Sequence, residues 1–335
     1  MDEQLTTMPQ VDVIGVGSPL VDLVLEVDDV FLQQHVSGAK GGMEYVEAEA
    51  IARMIAAAAQ PPVIVPGGAA ANVVAGIGAL GVPSGFVGNC GNDDYAQVFR
   101  HGLQHRGCQP RLFTSDLPTG QVLSLVTPDA QRTMRTCLGA AVALDPQLMT
   151  PQLFQGARLV IVEGYTLFNQ ELTEAVVRAA GDAGCRLALD LASFEVVNAN
   201  RALLDDLLRN HIDIVFANED EARAWTGDDD ELAALRALSE CCSVVVVKVG
   251  ADGAWLRVDG DEQHIPAQGV EAVVDTTGAG DTWAAGFLAG YLRGAPWSEC
   301  GVLGAQAAAA VVQVHGAMVP MEAWQPIRGR LDAWI

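Results

Sequence analysis

VVDTTGAGDTWAAGF, Val273 to Phe287, is the stretch on which the fold and the chemistry turn. Two β-branched residues, Val273 and Val274, run toward Gly278-Ala279-Gly280, and a helix of strong formers starts near Asp281. Small residues let a backbone come close to a ligand. The first amides of a helix have no partner inside it and point outward at the positive end of its dipole. An anion such as a phosphoryl group in transfer suits that arrangement. Asp281 is out of place there, because a carboxylate beside an anion is costly unless it has a task. Accepting a proton from an attacking alcohol is such a task, since a free carboxylate titrates near ~3.9 and stands ionised at neutral pH. The alternative is that Asp281 only caps a helix after a glycine turn.

Outward from this turn, short β-branched runs alternate with longer Ala/Leu-rich amphipathic runs. Strands are expected at Val11–Val16, Val63–Val65, Leu159–Val162, Leu187–Leu191, Ile212–Phe216 and Val244–Val249. They are apolar on both faces, as strands of a parallel sheet covered by helices are. Helices are expected at Glu47–Ala59, Ala69–Leu80, Tyr95–Arg106, Glu171–Ala183, Ala202–Arg209, Glu231–Leu238, Asp281–Arg293 and Ser298–Val314. The alternation implies a doubly wound α/β fold with a mainly parallel sheet flanked by helices. Leu20–Phe31 and Arg111–Leu138 break the rhythm and read as short strands joined by polar or Pro/Gly turns. They predict a small β-sheet lid, from segments about 19–45 and 111–138, inserted in one domain spanning 1–335.

Bulk properties narrow the partners. The chain has 335 residues, half of them hydrophobic, and a net charge of −23. That surface repels phosphate backbones, so neither a nucleic-acid polymer nor an anionic membrane is expected as a partner. It would repel free nucleotide too, so any nucleotide site must rely on Mg²⁺, backbone amides and local cations. No apolar run reaches the ~18 residues that span a bilayer. Met1–Gln10 is polar and acidic, unlike a secretory signal. The seven cysteines are scattered, with no C-x-x-C, which suggests neither a zinc cage nor a disulfide framework and fits a reducing cytoplasm.

Other segments carry candidate ligands. Gly67 and Gly68 open a helix in which Asn72 offers both donor and acceptor for a diol. Further along it, Gly76-Ile77-Gly78-Ala79-Leu80-Gly81 satisfies G-x-G-x-x-G. A dinucleotide fingerprint should follow a strand and open a helix, whereas this one falls late in a helix, with Gly81 as its C-terminal cap. Asp22, after Gly15-Val16-Gly17-Ser18-Pro19-Leu20-Val21, could accept two hydrogen bonds from sugar hydroxyls or be a solvated lid residue. Asn218 and Glu221 follow a strand and are either oxygen donors toward Mg²⁺, which needs few protein ligands, or a charge-rich helix start. Asp190 falls at the C-terminal end of a central strand, where open α/β sheets place ligands.

The run Asp275-Thr276-Thr277-Gly278-Ala279-Gly280-Asp281, with Ala285-Gly286-Phe287 after it, resembles the C-terminal signature of the ribokinase-like (PfkB) carbohydrate kinases, and Pro66–Asn72 resembles their N-terminal one. The resemblance extends in order from about Val11 to Pro320, and Gly-Ser-Pro-Leu-Val-Asp is closest to the adenosine-kinase-like branch. It implies a ribokinase-like fold and ATP-dependent transfer of the γ-phosphate to an alcohol. The Gly278, Ala279 and Gly280 amides would form the anion hole, with Asp281 as the base. Asp22, Gly68, Asn72 and the Lys40-Gly41-Gly42-Met43 loop would hold the acceptor, and Arg132 would meet phosphate from the lid. Asn218 and Glu221 would organise Mg²⁺, Glu221 through water. Lys248, which stands where many relatives have Thr, would join Gly250, Gly253, His315 and Gly316 on the nucleotide side, although His315 is also read as a packing residue. By the same resemblance Asp275 and Thr277 are candidates for a monovalent cation such as K⁺, and the assembly would be a monomer or a homodimer. A G-x-x-x-x-G-K-[ST] loop and the H-R-D and D-F-G set are both missing from the sequence, which excludes P-loop and protein-kinase designs. The acceptor remains open between an adenosine-like nucleoside and a simple sugar or polyol, because only Phe31, Tyr45 and Phe113 offer rings near the expected lid. A catalytically silent binding protein on the same scaffold is the rival from another class.

Overall fold

Branched apolar residues restrict χ1 and pack well on a pleated surface, and where they dominate the strands form. The computed structural model describes residues 10–129 and 131–334. Met1–Pro9, on which the reading of no secretory signal mostly rests, lie outside the described residues, as do Ala130 and Ile335. The strands are β1 Val13–Val16, β2 Leu20–Glu26, β3 Met43–Tyr45, β4 Val63–Gly67, β5 Ser84–Cys90, β6 Cys108–Thr114 and β7 Gly120–Val126. They continue as β8 Arg132–Cys137, β9 Leu159–Glu163, β10 Arg186–Asp190, β11 Ile214–Asn218, β12 Val244–Lys248, β13 Ala254–Val258 and β14 Asp261–Ile265.

Nine of these make one sheet in the order β14-β13-β12-β11-β10-β9-β1-β5-β6. From β12 to β6 every pairing is parallel, and β13 and β14 close one edge antiparallel. Alternate residues feed two cores. Val13, Ile161, Ile214 and Phe216 face the helices Ala69–Ala79, Ala279–Leu292 and Trp297–Val311. Ile14, Val160, Val162 and Val215 face the helices on the other side, among them Gln170–Asp182 and Arg201–Asn210. Burial on both faces is the origin of the unbroken apolar runs in the sequence. The direction of chain progression reverses beside β1, and a crevice at the carboxyl ends of the strands is the usual ligand place of such a sheet.

The remaining five strands form a second, smaller sheet in the order β3-β8-β7-β2-β4. Three sequence expectations change here. Val63–Val65 lies in this small sheet, antiparallel to β2, with Val63 and Ile64 exposed, because it is an edge strand that the helix Asp94–His105 meets only farther along, at Pro66. Arg111–Thr114 is the end of β6 in the large sheet, paired with β5, so the second lid segment begins later than residue 111. The stretch after β2 is not a further strand: Asp28 caps a helix at Asp29–His35 that carries Phe31.

Close helix packing prepares the site. A Cβ on Gly76 would lie 2.7 Å from the Ala285 Cβ, so the helices Ala69–Ala79 and Ala279–Leu292 approach at this glycine. One turn earlier on each helix stand Asn72 and Asp281. The G-x-G-x-x-G run is therefore a packing surface, and Gly81 (φ +83°) ends the helix as expected.

Candidate active site

The carboxyl ends of the parallel strands deliver polar residues to one crevice. Gly17 and Ser18 follow β1, Glu163 ends β9, Asp190 ends β10, Asn218 ends β11 and Lys248 ends β12. In register, Asp190 pairs with Glu163 and Asn218 with Lys248.

The helix Ala279–Leu292 begins over this crevice. Gly278 takes φ +74° as its N-cap, and a Cβ there would lie 2.5 Å from the Ala317 Cβ, so the turn admits glycine only. Among the described residues, the amides of Gly280 and Asp281 have no protein acceptor, which leaves them for an anion. The Ala279 amide departs from expectation: it donates to the Thr276 carbonyl at 3.1 Å, closing the turn, and is not a free donor. The Lys248 ammonium lies 3.0 Å from where a Cβ of Gly280 would stand, so a fixed cation flanks the open amides.

Asp281 is partly buried at the head of this helix, and Asn72 Nδ2 donates to its Oδ2 at 2.9 Å. Burial, with the Asp190 and Glu163 carboxylates, pushes its pKa up to about 7 against the opposing pull of Asn72 and Lys248. The expectation of a carboxylate fully ionised at neutral pH is thereby corrected, since desolvation disfavours the charged form. A group poised near neutrality is well matched to general-base work.

Around it, Lys248 Nζ donates to Asp190 Oδ2 at 2.8 Å, and Asp190 Oδ1 accepts from the Ala192 amide at 3.0 Å. Burial alone would lower the Lys248 ammonium, but Asp190, Glu221 and Asp281 outweigh it and hold it above its ordinary value. Asn218 and Glu221 form a capping box: the Asn218 side chain accepts from the Glu221 amide at 2.9 Å, and the Glu221 carboxylate accepts from the Asn218 amide and Nδ2 at 2.8 Å each. The helix-start reading of this pair is therefore realised. Glu221 is nonetheless buried, and burial with the Asp190 charge pushes its pKa up to about 7. Among the described residues no three His, Cys, Asp or Glu side chains stand close enough to cage a metal. The donor set fits Mg²⁺ held largely by water and phosphate: buried Asp190 and Glu221 and partly buried Asp281 share one ammonium, an excess of negative charge that a divalent ion relieves.

On the lid side, Asp22 on β2 lies against Gly67, where a Cβ would come 2.5 Å from its Oδ2. Burial raises its pKa to about 6, opposed by Arg132. Gly68 (φ +101°) brings the backbone against the Ser18 carbonyl, a contact that excludes any Cβ. Gly41 and Gly42 are held to the lid instead of presenting free amides: Gly41 donates to Thr133 Oγ1 at 3.0 Å and Gly42 to the Ala39 carbonyl at 3.1 Å. Lys40 is drawn outward, bridging Asp29 at 2.7 Å and Asp129 at 2.8 Å. Arg132 Nη2 meets Asp275 Oδ2 at 2.9 Å and its Nη1 donates to Thr277 Oγ1. Asp275 Oδ1 also accepts from the Thr277 amide at 2.9 Å, and its Oδ2 from the Gly316 amide at 2.7 Å. Gly316 thus spends its amide on Asp275. His315 is exposed, so it is not a packing residue. Gly250 stays open, but Gly253 is buried against the Ile265 carbonyl and serves the turn.

Glu163 escaped the sequence reading. It is buried, accepts from the Ser18 amide at 2.7 Å and the Ala70 amide at 3.2 Å, and ties β1 to the diglycine helix. The signal was there: one carboxylate closing the apolar run Leu159–Val162. Beside it opens a cavity of about 720 Å³ between the two sheets, with Gly17, Ser18 and Ala69 at its inner end. Tyr45, Met134, Leu138, Tyr165 and Phe168 line its outer part. Of the rings counted near the lid, only Tyr45 reaches it: Phe31 packs on His35 at 4.6 Å and Phe113 lies on β6.

Residues 21–324 match the sequence profile described as pfkB family carbohydrate kinase. A ribokinase of Arabidopsis thaliana is 31% identical over 273 residues, covering 76% of this chain and 69% of that protein. Two crystal structures are similar over nearly the whole chain. The adenosine kinase from Sinorhizobium meliloti superposes with a TM-score of 0.85 at 30% identity, covering 96% of this chain and 99% of that one. The probable sugar kinase from Rhizobium etli CFN 42 does so with 0.87 at 30% identity, covering 98% and 100%.

Proposed function

The chain belongs to the pfkB family of carbohydrate kinases, and on that premise we propose that it phosphorylates the hydroxymethyl group of a nucleoside, with Asp281 as the base. It is an ATP-dependent kinase of the class that acts on nucleosides and sugars, with the ribokinase-like α/β fold. The observation that carries the choice of a nucleoside is the cavity of about 720 Å³ with Tyr45, Tyr165 and Phe168 in its walls. A volume of that order takes a drug-sized ligand, and aromatic and thioether walls suit stacking on a base beyond the sugar.

Asp22, two residues along β2 from the lining Leu20, and Asn72, one turn after the lining Ala69, would bind ribose hydroxyls and aim the hydroxymethyl oxygen at Asp281. Asn72 holds the Asp281 carboxylate through its Nδ2, which fixes the face that the alcohol meets. Asp281 takes the hydroxyl proton while the alcohol oxygen bonds to the γ-phosphorus. The bond from that phosphorus to the β,γ-bridging oxygen breaks, and ADP leaves with the electron pair. The free Gly280 and Asp281 amides and the Lys248 ammonium face the charge that develops on the transferring group. A Mg²⁺ bound with the nucleotide would screen the phosphate oxygens, oriented through water by Glu221 and Asn218. Gly250 leaves room for nucleotide beside Lys248. Closure of the small sheet excludes water, which favours transfer over hydrolysis. Among the described residues no helix is long and apolar enough to cross a membrane, and the seven cysteines are free thiols, in keeping with work in a reducing cytoplasm.

ADP formation with MgATP on a panel of purine and pyrimidine nucleosides, ribose, fructose and polyols tests the assignment. The expected result is the highest kcat/KM with a nucleoside. A free sugar or polyol turning over better than every nucleoside would refute it and leave the apolar cavity without its occupant.

A further inference from the structure

Asp275 is the hub of three segments. Its Oδ1 holds the Thr277 amide at 2.9 Å, within the turn that leads to Asp281. Its Oδ2 holds the Gly316 amide at 2.7 Å, in the loop after the helix Trp297–Val311, and Arg132 Nη2 at 2.9 Å, from lid strand β8. The other arm of the guanidinium donates to Thr277 Oγ1. Both side chains that the resemblance offers to a monovalent cation are thus gripped by one planar, permanently charged fork. Three of the lone pairs of Asp275 are spoken for, and a potassium ion on the same oxygens would stand against a positive group already in place. The residues present do not fit that ion.

We propose that the Arg132 guanidinium performs at Asp275 the ordering task of a monovalent cation, so that lid closure, not potassium, sets the turn that carries the phosphoryl site. Arg132 is then a positioning residue, acting on Asp281 through Asp275 and Thr277. The placement supports the idea from both ends. Asp275 is only 9% exposed and Arg132 20%, so the pair is largely shielded from solvent. Buried between amide donors and a guanidinium, the Asp275 carboxyl is held below its usual range although burial alone would raise it. Asp22, on the acceptor side, feels both Arg132 and Asp275, so the pair also joins acceptor binding to the turn. The inference rests on the reading of Gly278–Asp281 as the transfer site.

Its test compares potassium with tetramethylammonium at matched ionic strength, reading both turnover and the affinity of a non-hydrolysable ATP analogue by calorimetry. The wild-type protein is expected to change by less than about threefold between the two salts in either readout. Arg132→Met frees the Asp275 and Thr277 oxygens, and its nucleotide affinity should become better in potassium by more than about threefold. A merely structural arginine would not produce that new ion dependence. Should Arg132→Met fail to fold, Arg132→Gln, which removes the charge but keeps a polar side chain in the lid, takes its place with the same expectation. Potassium dependence of the wild type beyond that threshold, or a variant as indifferent to potassium as the wild type, overturns the proposal. A wild type that binds nucleotide but phosphorylates nothing refutes the kinase reading instead, and the affinity measurement still judges the role of Arg132.

Discussion

Replacing Asp281 by Asn separates what this carboxylate does for catalysis from what it does to stability. Asn is isosteric, its side-chain oxygen still accepts from Asn72 Nδ2, and the free Gly280 and 281 amides are untouched. Nucleotide affinity should therefore stay within about threefold of wild type, while kcat falls by about 10²–10⁴, the contribution of a positioned general base. Stability should move the other way. A pKa raised from 3.8 to about 7 means that the unfolded chain holds the charge more easily than the native one. About three pKa units correspond to roughly 4 kcal/mol as a ceiling at alkaline pH, reduced by any unmet hydrogen bond of the new amide. Even half of that raises Tm by a few degrees, at about 2–4 °C per kcal/mol in chains of 150–250 residues. The assays are ADP release at saturating acceptor and differential scanning fluorimetry of the ligand-free protein near pH 8. A variant with near-normal kcat, or one less stable than wild type at that pH, would refute the assignment of a base whose pKa is raised by its surroundings.

Two further outcomes follow from the same cluster. Lys248→Met leaves Asp190 without its 2.8 Å partner and removes the cation beside Gly280, so kcat should drop by about a hundredfold and the acid limb of the rate profile should move to higher pH. Steady-state rates across pH check this, and an unshifted limb would show that Lys248 does not act on Asp281. The ligand-free protein should lose stability as pH rises from about 4 to about 7. Asp22, Glu221 and Asp281 have raised native pKa values, so in that window the native state binds more protons than the unfolded one. Thermal midpoints near pH 5 and pH 8 read this directly, and Mg²⁺ with nucleotide should raise the midpoint more at the higher pH.

The features legible in the sequence were those written in local chemistry. Apolar runs rich in branched residues marked β9, β11 and β12, Leu187–Leu191 marked β10 although Asp190 interrupts it, and the Gly278–Asp281 turn announced itself through small residues followed by an acid. Strand β5 went unseen, because Ser84, Gly85, Gly88 and Asn89 interrupt its apolar pattern although every residue of it is buried. Val63–Val65 had the composition of a central strand and lies at an edge, since periodicity cannot say whether a helix covers a face. Contacts made by tertiary structure were out of reach: Lys248 with Asp190, Arg132 with Asp275, and the committed amides of Ala279 and Gly316. The aromatic walls of the cavity were missed for a similar reason. Tyr165 and Phe168 follow β9, far in sequence from the lid segments where rings were sought. Burial, finally, is what moved Asp281 from an ordinary acid to one that titrates near neutrality, and no local sequence reports it.

The dependence of kcat/KM on pH, measured for the best acceptor between about pH 5 and pH 9, bears most directly on Asp281 as the base. A single group with a pKa of about 7 predicts that the rate falls about tenfold per pH unit on the acid side and levels off above neutrality. A profile flat down to about pH 5 would contradict it, because the residue taking the proton would then be one that ionises like an ordinary carboxylate in water.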